Sequence, residues 1–221
     1  MMSTPSTISF LPPSPEDAST LTLIHTEAFP NNTLMTLKFG VPTEENLKGF
    51  TSLLSHLIAT SKTAKFVKAV DNSTNEIVGW SWWNFYPDLE SYLEGAKAYV
   101  KDHGSPPGTS ISPEAYREYF QAVISRREKW VGERHVGFLQ VLVVLPQYQG
   151  KGIGTQLVRM GLEDARRQNV PVWLESSLEG YALYKKLGFH DLNDNIVIDL
   201  AKYGESGTAH TPCMLFDNVN A

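Results

Sequence analysis

The chain has 221 residues, of which 42% are hydrophobic and 19% charged, with a formal net charge of -5. That is the composition of a globular chain with ample core rather than of a disordered one, and its mild acidic surplus argues against a nucleic-acid partner. A single cysteine, Cys213, excludes an intramolecular disulfide and a cysteine-based metal cluster.

Taken in chain order, "TISFL" (7–11) reads as an opening strand. Ser14, Pro15 and two acids then start a helix over 14–29, and a similar signature starts another over 42–60, with Leu47, Phe50, Leu54 and Leu57 on one face. "AKFVKAV" and "EIVGWSWWNFY", separated by the turn residues "DNSTN", predict an antiparallel hairpin. In its second strand Trp80 and Trp82 share one face and Trp83 and Phe85 the other. One face belongs to the core; the other is open to packing under neighbouring helices or to lining an acceptor pocket.

Residues 87–134 carry two charged amphipathic helical patterns joined by "GSPPGTSIS". They read as an insertion within one domain spanning 1–221, because neither helix has much core of its own. "HVGFLQVLVVLP" (135–146) is almost continuously apolar, as a strand buried on both faces is. A glycine-rich segment follows, then a helix with Leu157, Met160, Gly161 and Ala165 on one face. "PVWLES" is a further buried strand, "EGYALYKKLG" a short helix, "FHDLNDNIVIDL" (189–200) a strand and "TPCMLFD" a last one. The first twenty residues lack a signal peptide's basic start and apolar run, and the longest apolar stretch is too short to cross a bilayer. A cytoplasmic protein without a membrane partner is expected.

The glycine segment "QYQGKGIGTQL" (147–157) lies between a strand and a helix, where free amides and the helix dipole favour a phosphate. It is not a nucleotide P-loop, because no lysine followed by Ser or Thr comes after Gly154. It fits the dinucleotide fingerprint poorly, because Thr155 stands where the third glycine belongs. A glycine-rich turn without a ligand leaves three alternating glycines at a helix entry unexplained, since each costs helix stability. Gln149, Gly152 and Gly154 match the pattern [Q/R]-x-x-G-x-[G/A] in full.

With its flanks, "LVVLPQYQGKGIGTQLV" resembles the coenzyme A pyrophosphate loop of the GCN5-related N-acetyltransferase (GNAT) superfamily. Further on, "VWLESSLEGYALYKKLGF" resembles that family's second motif, with Tyr184, Leu187, Gly188 and Phe189 in its places. The resemblance implies an α/β (α+β) fold: a central mixed, mostly antiparallel sheet flanked by helices, with the helical insertion before the central strand as a departure. It implies an acetyl-CoA-dependent N-acetyltransferase acting on a primary amine, small molecule or peptide, by direct attack in a ternary complex.

The resemblance also implies roles. The pantetheine amides would bond the main chain of Leu142, Val143 and Val144, with the Val144 N–H polarising the thioester carbonyl. The amides of Gln149, Gly150, Lys151, Gly152, Ile153, Gly154 and Thr155 would wrap the pyrophosphate, with the Lys151 side chain either near the charge or simply solvated. Tyr184 corresponds to the family's thiolate donor, and Ser177 to a polar cofactor contact. The proton acceptor is left open among Glu175, Glu27 and water, because Gln140 stands on the central strand where the family often has an acid. No histidine spacing indicates a metal. The missing acid keeps alive a second reading, an acyl-CoA-binding sensor or scaffold without turnover. A nucleotide-dependent dehydrogenase is a weaker third, and the oligomeric state, homodimer included, is open.

Overall fold

The computed structural model describes residues 7–30 and 32–217, which divide into two compact units. The first comprises 7–30, 47–84 and 139–164; the second comprises 32–46, 85–138 and 165–217. In chain order the elements are β1 (Ile8–Leu11), α1 (Ala18–Ala28), α2 (Thr33–Phe39), α3 (Glu44–Thr60), β2 (Ala64–Asp71), β3 (Glu76–Asn84), α4 (Leu89–Asp102) and α5 (Pro113–Trp130). They continue with β4 (Gly137–Val144), α6 (Ile153–Gln168), β5 (Val172–Glu175), α7 (Leu178–Lys186), β6 (His190–Asp191), β7 (Ile196–Asp199), β8 (Thr208–Thr211) and β9 (Cys213–Phe216).

In the first unit β1, β2 and β3 pair antiparallel in sequence order, as the hairpin pattern predicts, with a bulge between Ala69 and Val70. Alternation puts Trp80 (0% exposed) on Ala18, Leu21, Ile24 and Leu54 of α1 and α3, and its Nε1 donates to the Leu21 carbonyl at 2.9 Å. The opposite face carries Trp83, whose ring lies over Gly161 of α6. Both aromatic faces of β3 are therefore packed.

In the second unit the start of β4 runs parallel to β5 (Gly137↔Val172, Phe138↔Trp173), and β9 lies antiparallel between β5 and β6. The segment 189–200, expected as one strand, is two. Asp191 Oδ1 accepts from the Asn193 amide at 2.7 Å, and Asn193 takes φ 53°, a turn that Asn tolerates and that ends β6. Beyond it β7 pairs with β8 in a separate two-stranded sheet.

The two helices expected in 87–134 form, as α4 and α5. Tyr92, Ala115 and Val123 are buried in one cluster with Trp173, Ile196, Ile198 and Leu215, so α4 and α5 build this unit's core rather than decorate it. The short α2, which the sequence reading passed over, begins where the Asn32 side chain accepts from the Met35 amide at 3.0 Å, and it packs on α5.

Candidate active site

In the first unit the chain leaves β4 at Leu145, whose amide bonds the Val78 carbonyl at 2.9 Å, and turns through Pro146–Tyr148. The Gln149 side chain folds back so that Nε2 donates to the Val144 carbonyl at 3.0 Å. Tyr148 Oη donates to Asp71 Oδ2 at 3.0 Å, and the Lys151 ammonium lies 4.6 Å from the Tyr148 ring centroid. These contacts hold the loop to the end of β2.

Gly150 and Gly152 have φ 72° and 82°, in the left-handed region, and a Cβ placed on either would meet no atom within 4 Å. Here glycine serves the backbone conformation, and the space before it is open. The ladder of α6 begins with the Gln156 amide on the Gly152 carbonyl at 3.0 Å. The amides of Gly152, Ile153, Gly154 and Thr155 precede it and have no acceptor within the helix. Open space, free amides and the positive end of a 16-residue helix fit a diphosphate. Of the expected pantetheine contacts, Val143 and Val144 are buried and Leu142 half-buried; a Cβ at Gly79 would meet the Val143 carbonyl at 2.8 Å, so β3 and β4 approach closely there.

In the second unit Glu175 ends β5 and is held in place. Its Oε1 accepts from Arg127 Nε at 2.7 Å and from Trp173 Nε1 at 2.6 Å, and its Oε2 accepts from Arg127 Nη2 at 2.7 Å. Both carboxylate oxygens of Glu175 are thus engaged by side chains. Ser177 caps α7, accepting from the Gly180 amide at 3.1 Å. One turn on, Tyr184 is 7% exposed and burial drives its phenol upward, so the hydroxyl keeps its proton at any ordinary pH. Cys213 is fully buried, and burial with the nearby Glu175 charge pushes its thiol up to about 12, which leaves it a protonated, weak nucleophile. Glu27 is exposed on α1. Among the described residues no three His, Cys, Asp or Glu side chains are grouped as metal ligands, and no helix is long and apolar enough to cross a membrane.

The profile of the acetyltransferase (GNAT) family matches residues 54–189, more than half of the chain. The chain belongs to the GNAT family. This GNAT chain is 42% identical, over 48 residues, to a probable acyltransferase, SID5, of Ajellomyces capsulatus; the match spans 22% of this chain and 35% of that one. Among solved structures it resembles a mosquito arylalkylamine N-acetyltransferase-like protein (TM-score 0.60, 15% identity, 94% and 97% of the two chains covered). It also resembles the PaiA N-acetyltransferase of Thermoplasma acidophilum in complex with coenzyme A (TM-score 0.52, 15% identity, 95% and 98% covered). At such identities the likeness is one of fold, and the mixed, mostly antiparallel α/β architecture agrees with it. The family model and this relative both carry acyltransferase descriptions.

Two residues that shape the GNAT chain's second unit were not singled out from the sequence. Arg127 is one charge among several on an amphipathic helix, and Lys38 sits in a helix of seven residues. Glu175 lies 48 residues from Arg127 and Tyr119 lies on a different helix from Lys38, so no local pattern marks either.

Proposed function

We propose that the chain transfers an acetyl group from acetyl-CoA to a primary amine by direct attack. The observation that carries this reading is the bare backbone of 149–155, with two left-handed glycines facing open space at the start of α6. The amides from Gln149 to Thr155 bind the pyrophosphate, and the main chain of Leu142, Val143 and Val144 binds the pantetheine amides. The Val144 N–H takes the developing oxyanion. An alkylamine has a pKa of about 10.4, so it must lose a proton to attack. The leaving thiolate takes a proton from Tyr184, whose buried phenol is protonated at ordinary pH. Ser177 already caps α7, so its cofactor contact is a second bond by the same hydroxyl.

The acceptor is a small-molecule or peptide amine. Acyl-CoA binding without turnover is the competing reading, favoured by the engaged state of Glu175. Calorimetric titration of wild type and Gly152→Glu with acetyl-CoA, beside NADH, tests the cofactor. Micromolar binding of acetyl-CoA alone, lost in the variant, is the expected result; no binding by the wild type removes the basis of the reading. A screen of primary amines with acetyl-CoA then separates transfer from binding.

A further inference from the structure

Lys38 lies in the last turn of α2 and is 4% exposed. Its Nζ sits 3.5 Å from the ring centroid of Tyr119, 5.2 Å from that of Phe39 and 5.4 Å from that of Phe120. Aromatic faces attract an ammonium without satisfying its three hydrogen bonds. Buried lysines are ordinarily paired, yet among the described residues Lys38 has neither a carboxylate at ion-pair distance nor a hydrogen-bond acceptor. Glu175 from β5, His103 at the end of α4 and the Tyr119 ring from α5 face it, and Tyr99 of α4 and Arg127 of α5 lie beside His103 and Tyr119. Glu175, the carboxylate whose charge reaches Lys38, is bound to Arg127 and Trp173. Burial consequently brings Lys38 down to about 7, against a weaker opposing pull from Glu175.

An amine that is neutral near pH 7 has a lone pair to offer, and lysines tuned in this way act as bases. The position of Lys38 agrees with that use. Ligands of α/β sheets bind beyond the carboxyl ends of parallel strands, and this cluster surrounds the carboxyl end of β5, the parallel partner of β4. The next two residues, Ser176 and Ser177, lead into α7 and Tyr184. The same unit thus carries the proton donor and a basic nitrogen that, among the described residues, meets aromatic rings but no hydrogen-bond acceptor.

We propose that Lys38 is a catalytic residue, its Nζ taking the proton of the acceptor amine as that nitrogen attacks the thioester carbonyl. The assignment rests on the amine-transfer reading above. The N–C bond forms and the C–S bond breaks. The acceptor enters as the neutral amine, its ammonium proton already given to solvent. Its N–H proton goes to Lys38 and the thiolate takes that of Tyr184; water then returns the proton from the Lys38 ammonium to the Tyr184 phenolate.

The test is steady-state kinetics of the full chain with acetyl-CoA and tryptamine, spermidine or a peptide with a free N-terminus, from pH 5.5 to 9. Wild type, Lys38→Met and Lys38→Arg are compared. Wild-type kcat/KM should fall on the acid side with a midpoint near 7. Both variants should lose about 10²- to 10⁴-fold in kcat together with that limb. Acetyl-CoA titration should be unchanged, which shows that the variants are folded. Arginine keeps the cation under the rings but does not release its proton, so an active Lys38→Arg overturns the assignment, as does an active Lys38→Met or a wild-type profile without the acid limb. A wild type that binds acetyl-CoA yet acylates none of these amines overturns the amine-transfer reading and this assignment with it. An active wild type beside an active Lys38→Arg overturns the assignment alone.

Discussion

Arg127 grips Glu175 with two parallel bonds, Nε to Oε1 and Nη2 to Oε2, each 2.7 Å, and the two side chains are only 13% and 12% exposed. The guanidinium also lies over the rings of Tyr99 at 4.2 Å and Phe138 at 4.7 Å, so α4, α5, β4 and β5 are tied at one point. Removing one partner leaves the other charge buried and uncompensated, which costs about 3–5 kcal/mol in such pairs. Glu175→Gln and Arg127→Met should each lower stability by roughly 3 kcal/mol in urea unfolding, and the double variant should lose clearly less than the sum. Additive losses would mean that the pair is not coupled.

Tyr184 makes a different kind of prediction, because its role is chemical. Tyr184→Phe removes one oxygen and keeps the ring against Phe189 at 5.7 Å. It should lower kcat about 10- to 100-fold with little change in the KM for acetyl-CoA, the pattern of an interaction made in the transition state. Because burial raises the phenol far above its usual range, wild-type activity should show no alkaline loss from Tyr184 up to pH 10. A Cβ on Gly180 would stand 2.8 Å from Tyr184 Cε2, so Gly180→Ala should reproduce part of the kcat loss by displacing the ring.

What the sequence made legible was local. Alternation in β2 and β3, helical spacing in α3 and the glycine spacing at 150–154 are each set within a few residues, and each appears as expected. The polar strand β8, "TAHT", has no apolar alternation and takes its form from pairing with β7, so it left no signal. The aromatic residues of α4 and α5 announce an apolar face but not the β7 strand and α2 helix that cover α5. The site shows the same division. Backbone demands such as φ 82° at Gly152 are written in residue type, whereas the grip of Arg127 on Glu175 spans 48 residues and the Tyr119 ring over Lys38 comes from a different helix.

Gly161 faces the indole of Trp83, and a Cβ there would come within 2.1 Å of the ring, which is 1% exposed. The indole has nowhere to retreat, so Gly161→Ala should destabilise by about 1–3 kcal/mol through overpacking, although alanine favours a helix. Thermal unfolding should show a drop of roughly 2–10 °C for a chain of this size. An unchanged midpoint would mean that α6 and β3 yield readily at this contact.

Lys38 also links stability to pH, and the sign follows from its lowered affinity for protons. An unfolded lysine titrates near its ordinary value of 10.5, whereas folded Lys38 titrates near 7. Between those values the unfolded chain binds the additional proton, so folding strengthens as pH rises through that window, by at most about 1.4 kcal/mol per pH unit. The Lys38→Met variant lacks this linkage. Its stability should exceed that of the wild type at pH 7, and the advantage should shrink by roughly 2–3 kcal/mol between pH 7.5 and 9.5, read by urea unfolding at each pH. Parallel stability curves for the two proteins would show that Lys38 keeps an ordinary proton affinity in the fold. In that event the nitrogen is charged at neutral pH, and the aromatic rings around it serve a structural cation rather than a base.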